Sequence, residues 1–234
     1  EICACLVGSE MCIRDRKDTL KKEIPVSVLC AVLLFVLGIS GMEIGRTDGV
    51  ILLLLFIGFL VWMVRSALKA HAASAEAEDP SGEYKIYPAW KCALYIVGGA
   101  VAIKFGGDFV VDGASAIAVK AGLSQNLIGL TIVAMGTSLP EFVTSVVAAR
   151  KNEVDMAFGN VIGSNIFNIL FILGVTAAIS PVAFIMENVV DSILLVMVSI
   201  LVWVFAWSRL HIEKKEGVVL LALYAAYLVY ICMR

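Results

Sequence analysis

Long apolar stretches recur down this chain and leave it very little structural choice. They run from Ile24 to Ile39, Val50 to Val64, Tyr87 to about Ala121, Leu127 to Ala149, Met156 to Ile179, Val189 to Trp207 and Val218 to Met233. A spanning helix needs about 20 apolar residues, within a range of about 17–25. Water does not reach the backbone inside a bilayer, so each N–H and C=O must be bonded within its own helix or in a closed barrel. Runs of this length suit helices. At 61% hydrophobic, the chain is also more apolar than soluble domains of ordinary composition. The expected fold class is all-α: a polytopic protein of about seven transmembrane helices, with the lipid bilayer as its first partner. The net charge of −2 says little about other partners, and no nucleic acid is expected among them. Six cysteines show no zinc spacing, and those inside the apolar runs read as small core residues.

Residues 1–16 match nothing that follows. They lack an initiator Met and a signal-peptide core, and they resemble translated sequencing-adapter read-through, so they are set aside as non-native. The open start leads to the expectation of an upstream part that this sequence lacks. Residues 17–66 read as a two-helix transmembrane hairpin entered through the basic run Lys17–Lys22. Residues 67–87 read as a polar cytoplasmic loop turning at Asp79-Pro80-Ser81-Gly82, and residues 88–234 as a five-helix membrane repeat.

One apolar run is interrupted by chemistry. Gly136-Thr137-Ser138-Leu139-Pro140-Glu141 lies inside the stretch Leu127–Ala149. A carboxylate at membrane depth is costly, and by default it marks function. Pro140 has no N–H for the Gly136 carbonyl four residues back, and its ring crowds that carbonyl. Irregular backbone at this depth persists only where it is buried in protein or lines a wet cavity. The Gly136 carbonyl, the Thr137 and Ser138 hydroxyls and the Glu141 carboxylate therefore form a row of oxygens without a competing nitrogen donor. Such oxygens suit hard cations such as Ca²⁺ or Na⁺. A plain proline kink, with Glu141 paired to a base elsewhere, is the other reading these residues allow.

The next helix opens with Gly159-Asn160-Val161-Ile162-Gly163-Ser164-Asn165-Ile166-Phe167-Asn168. Asn160, Ser164 and Asn168 fall at i, i+4 and i+8, a polar stripe on an apolar helix. Gly159 and Gly163 form a G-x-x-x-G that admits a close neighbour. The stripe either ligates a cation or joins helices by hydrogen bonds, and its place beside a broken, Glu-bearing helix favours ligation. In the third span Lys104, Asp108 and Asp112 share one side. Lys104 and Asp108 are expected to pair, and Gly98, Gly99, Gly106, Gly107 and Gly113 to give close-packing faces.

Basic residues fix the sidedness. Lys17, Lys21, Lys22, Arg65, Lys69, Lys85, Arg150, Lys151, Arg209, Lys214 and Lys215 fall in one set of loops, and Arg46, Lys120 and Arg234 in the other. The positive-inside rule then puts the start and the long loop in the cytoplasm and the C-terminus outside. Enzymatic chemistry finds little support. Ser138 and Ser164 have no intramembrane base, since His71 and His211 both lie in loops.

The pairing of G-T-S-L-P-E with G-N-V-I-G-S-N-I-F-N across a short basic loop resembles the second alpha-repeat of the cation/Ca²⁺ exchanger superfamily. Within it, the likeness is to the bacterial, YrbG-like sodium/calcium exchangers akin to the potassium-dependent branch, and it extends over about residues 24–234. The resemblance implies one half of an inverted-repeat antiporter in a bacterial inner membrane, no cofactor, and Ca²⁺ and Na⁺ as transported ions, with K⁺ left open. It implies that Glu141 is the shared carboxylate ligand. Thr137 and Ser138 would supply hydroxyl or carbonyl oxygens, and Ala134 a backbone carbonyl. Ser164 and Asn168 would contribute from the next helix, Asn165 would sit beside them, and Ser145 would face the same cavity. Many relatives carry Asp where this chain has Asn168, and no second P-E motif occurs in the sequence. The second glutamate is therefore expected from a missing N-terminal repeat. A cation/H⁺ antiporter is the alternative, with a proton in place of Na⁺ on Glu141.

Overall fold

The computed structural model describes residues 23–75, 88–151, 153–209 and 214–233. The segment 1–16, the basic run Lys17–Lys22, residues 76–87 of the expected loop, Asn152, residues 210–213 and Arg234 lie outside the described residues. The elements in chain order are α1 (Ile24–Gly41), β1 (Glu43–Ile44), α2 (Arg46–Ala75), α3 (Ala89–Lys120), α4 (Gln125–Ile128), α5 (Ala134–Thr137), α6 (Leu139–Arg150), α7 (Val154–Phe167), α8 (Leu173–Ile179), β2 (Val182–Ala183), α9 (Met186–Arg209) and α10 (Lys214–Met233). A π turn, Gly129–Val133, joins α4 to α5, and a second, Asn168–Ile172, joins α7 to α8. Among the described residues six helices are long and apolar enough to cross a membrane, or seven if the bent pair Thr131–Thr137 and Leu139–Arg150 is one span. This is the all-helical membrane architecture the apolar runs predicted.

The chain divides into two compact units, each drawn from separate stretches of sequence: residues 1–78 with 148–218, and residues 79–147 with 219–234. In the first unit α1 lies along α9 and α7, and α2 lies along α8 and the second π turn. The shared core holds Ile24, Val28 and Cys30 of α1, Leu52 of α2, Ile162 and Ile166 of α7, Ile169 and Leu170 of the π turn, and Ala206 of α9. Lipid tails are as apolar as leucine, so such a core is held by close contact rather than by escape from water. Gly49 shows how close. A Cβ built there would fall 2.7 Å from the Gly174 carbonyl oxygen and on the Ala178 nitrogen, so α2 and α8 meet backbone to backbone.

The hairpin turn of the same unit is clipped to a distant one. β1 pairs antiparallel with β2, Glu43 opposite Ala183 and Ile44 opposite Val182, and the Phe184 N–H donates to the Met42 carbonyl at 2.9 Å. Met42 takes the left-handed conformation that closes α1, with φ 50°. Asp48 Oδ2 accepts the Gly45 N–H at 2.9 Å, which satisfies a backbone donor where α2 begins. Ile44, Ala177, Phe184 and Val189 bury themselves beneath this clip. α2 also continues to Ala75, past the apolar stretch that ends at Val64 and into the segment expected as loop. Residues 65–75 are mostly Ala, Ser, Lys and Leu, and Ala, Leu and Lys are strong helix formers once the membrane span has ended.

In the second unit α3 ends with a Schellman motif: Gly122 at φ 83° donates to the Val119 carbonyl at 3.0 Å, and Leu123 to Ala118 at 3.1 Å. Ser124 immediately caps the next helix, its Oγ accepting the Leu127 N–H at 3.2 Å and its carbonyl accepting Ile128 at 3.0 Å. The chain thus reverses in four residues, and α4, the first π turn and α5 return along α3. Lys104 Nζ and Asp108 Oδ2 pair at 3.0 Å as their spacing predicted, on an exposed face of α3. The glycines expected to make close contacts on α3, and Gly159 and Gly163 on α7, have no heavy atom of the described chain within 4 Å of an added Cβ.

Candidate ion-binding site

The motif Gly136–Glu141 is where one span becomes two helices. α5 stops at Thr137, α6 starts at Leu139, and the axis turns by 50° across Ser138. Ser138 sits at φ −94°, ψ 1°, outside helical geometry, and its N–H donates to the Met135 carbonyl at 3.1 Å instead of reaching Ala134. Its own carbonyl accepts the Phe142 N–H at 3.0 Å, the first bond of α6. Pro140 therefore does not kink a continuous helix, the plain alternative that the sequence left open. It lies in the first turn of a new one, where a missing N–H costs nothing. The spacing Ser138-x-x-Glu141 is that of a helix-start capping box, and it marks Ser138 as the residue at which a new helix begins.

The break redistributes oxygens. The Thr137 hydroxyl donates to the Ala134 carbonyl at 2.9 Å, in the place the Ser138 N–H would take in a regular helix. A carbonyl has two lone pairs, so Ala134 keeps acceptor capacity beside the hydroxyl. Thr144 Oγ1 similarly bonds the Pro140 carbonyl at 2.8 Å, and Thr131 Oγ1 the Leu127 carbonyl at 2.6 Å across the start of the π turn. Ala134, Thr137 and Ser138 are exposed, whereas Glu141 is half-buried with its Oε2 atom buried. Glu141 falls in the first turn of α6, where the helix dipole favours a negative charge by about 0.3–1 kcal/mol. Ser145 lies one turn on, also half-buried.

Gly136 is buried at this point, and α3 is the reason: a Cβ there would overlap Val111 Cγ2. α3 therefore rests directly on the end of α5.

In the other unit, the polar stripe forms on α7 as its spacing predicted. Asn168 Nδ2 donates to Ser164 Oγ at 3.4 Å, and this leaves Oδ1 as the acceptor end of the amide. Asn168 is also the first residue of the second π turn, a feature that recurs at functional sites. Ser164 is half-buried, and Asn165 and Asn168 are exposed. Of the expected ligands, then, Ala134, Thr137, Ser138 and Glu141 share one bent segment, and Ser164, Asn165 and Asn168 share one helix. Among the described residues no group of three His, Cys, Asp or Glu stands together.

A family model described as sodium/calcium exchanger protein matches residues 91–233. The chain belongs to that family. The match spans both motifs. An uncharacterized membrane protein of Methanocaldococcus jannaschii is 38% identical over 206 residues, which cover 88% of this chain and 64% of that protein. Inner membrane protein YrbG of Escherichia coli is 34% identical over 172 residues, or 70% of this chain and 51% of YrbG. Sodium/calcium exchanger MaX1 of Methanosarcina acetivorans is 39% identical over 129 residues, 55% of this chain and 37% of MaX1. In three dimensions the sodium-calcium exchanger NCX_Mj, soaked with zero Na⁺ and Ca²⁺, superposes with a TM-score of 0.72 at 33% identity, covering 92% of this chain and 66% of the other. The chain thus spans about half to two thirds of the length of these longer matches, and it shares the exchanger fold over nearly all of its own.

Proposed function

We propose that this chain is the ion-binding second half of a sodium/calcium antiporter of an inner membrane, a transporter and not an enzyme, completed by an upstream repeat. Ca²⁺ and Na⁺ compete for Glu141, and alternating access exposes the site to each side in turn. The observation that carries the reading is the break at Ser138, which puts a half-buried carboxylate in the first turn of a new helix and leaves the Ala134 carbonyl to a side-chain hydroxyl. Thr137, Ser138 and the Ala134 carbonyl are further ligands, Ser164 and Asn168 Oδ1 complete this half's share, and Asn165 supports them. Ca²⁺ takes six to eight oxygens, so the remainder comes from the other repeat.

The orientation follows the basic loops, with the start and long loop cytoplasmic and the C-terminus outside. The clip between β1 and β2 supports the seven-span count behind it, because it requires the α1–α2 and α8–α9 turns to lie on one side. The test is Na⁺-gradient-driven ⁴⁵Ca²⁺ uptake into vesicles holding the full-length exchanger. Uptake should need Na⁺ and vanish in Glu141→Gln. Uptake that survives the substitution refutes the site, and uptake that follows a pH gradient while ignoring Na⁺ refutes the coupling ion.

A further inference from the structure

Three phenylalanines meet where the polar stripe ends. Phe56 of α2 stands 5.7 Å from Phe167 at an interplanar angle of 70°, and 5.2 Å from Phe171 at 42°. Phe167 and Phe171 stack at 4.9 Å and 28°. Phe167 is the last residue of α7 and Phe171 lies inside the second π turn, so the stacked pair brackets Asn168, where that turn begins. Phe56 is itself set against the core that holds Ile166, Ile169 and Leu170. A π turn is uncommon in a helix and is held by its surroundings rather than by local preference. Here the apolar sequence Asn168-Ile-Leu-Phe-Ile offers no preference for it. The three rings pack together where the turn begins, and the same turn bears Asn168 with its amide nitrogen on Ser164 Oγ.

We infer that Phe56, Phe167 and Phe171 are positioning residues for the Asn168 ligand, holding the π turn in the register that spends Nδ2 on Ser164 and leaves Oδ1 for the cation. The inference rests on the reading of Asn168 as a ligand. Removing a group that orients a metal ligand typically weakens metal affinity by about 10–100-fold. In vesicles carrying the full-length exchanger, Phe171→Ala should raise the KM for Ca²⁺ about tenfold, at the low end of that range, while kcat per transporter stays within about twofold. Phe171→Leu, which refills most of the space, should recover most of the KM. The decisive variant is Asn168→Ala combined with Phe171→Ala, which should show the KM of Asn168→Ala alone. If Phe171→Ala fails to reach the membrane, Phe56→Leu reads the same coupling. A KM effect of Phe171→Ala that adds in full to a raised KM in Asn168→Ala overturns the inference and leaves the ligand reading standing. A loss confined to kcat or to protein amount also overturns it. An Asn168→Ala variant at the wild-type KM overturns the ligand reading, and this inference with it.

Discussion

Substituting Gly136 by alanine tests the contact between α3 and the break. The added Cβ would overlap Val111 Cγ2 and lie 3.2 Å from Val111 Cβ and 3.6 Å from Cγ1, so its three nearest atoms all belong to one side chain. Carbon atoms settle about 3.5–4.0 Å apart. The two helices must therefore part by more than about 1 Å unless Val111 turns away. A valine in a helix keeps one χ1 rotamer about 90% of the time, so turning is itself costly. Overpacking of this kind costs about 1–3 kcal/mol, and each 1.4 kcal/mol is a factor of about ten. The strain falls on α5, one residue before Thr137 and two after Ala134. Gly136→Ala should thus lower apparent Ca²⁺ affinity or folded yield by about five- to 150-fold, read as the KM of Na⁺-driven ⁴⁵Ca²⁺ uptake and as the monodisperse fraction in detergent. Val111→Ala removes both γ-methyls and, of these three contacts, leaves the one at 3.2 Å, which a few tenths of an ångström relieve. The double variant should then recover most of the loss. Gly136→Ala with wild-type KM and yield, or a double variant no better than the single, would show that α3 does not set the geometry of the break.

Three further substitutions probe separate parts of the structure. Thr137→Val keeps the shape and removes the hydroxyl proposed as a ligand, along with its 2.9 Å bond to the Ala134 carbonyl; losing one oxygen of the shell should raise the Ca²⁺ KM, with Thr137→Ser near wild type, and an unchanged KM removes Thr137 from the ligand set. Asn168→Asp adds a second carboxylate to the proposed ligand set, and since ligand charge tunes Ca²⁺ affinity it should lower the KM for Ca²⁺; a KM that stays put in uptake assays means Asn168 is not at the ion. Gly49→Ala drives a methyl into the Gly174 carbonyl and the Ala178 backbone, atoms that cannot rotate away, so the melting temperature in detergent should fall, by about 1–3 kcal/mol of stability or more; an unaltered melting curve would mean that α2 and α8 are not in contact in the folded protein.

Much of this architecture was legible because the bilayer demands so little of a sequence beyond length and apolarity. The apolar runs matched the spans, and the motif that breaks the fourth was visible as Pro140 and Glu141. What the sequence reading misplaced was the position of the break, although Ser138-x-x-Glu141 carried it. The two π turns were not legible. Gly129–Val133 and Asn168–Ile172 are mostly apolar, like the α-helices they interrupt, and the second packs against a ring far away in sequence, Phe56. The same holds for the grouping of the helices. Nothing local in Gly49 or Ile44 says that the first hairpin is joined to residues 174–183, because that depends on the missing side chain of one and the pairing of the other. Of the expected site, the residue types and the stripe on α7 were readable from spacing, whereas the Thr137–Ala134 bond needed the geometry of the break.

If the site binds a cation as proposed, the break also answers a problem any carrier faces, since its site must hold a cation and yet release it. In an unbroken helix the Ala134 carbonyl would be committed to the Ser138 N–H, a donor fixed by the backbone. Here that N–H turns to Met135, and a rotatable hydroxyl takes its place on Ala134. When a cation arrives, the Thr137 hydroxyl need only reorient, at the expense of one hydrogen bond worth about 0.5–1.5 kcal/mol. The carboxylate is treated likewise. At the start of α6, Glu141 has a helix dipole that eases its charge when the cation is gone, so the empty state is less costly than a bare acid at membrane depth. Both devices narrow the gap between loaded and empty states. A regular helix bearing the same residues would keep its carbonyls in backbone hydrogen bonds and hold Glu141 away from any helix end, and it would be the poorer carrier for that reason.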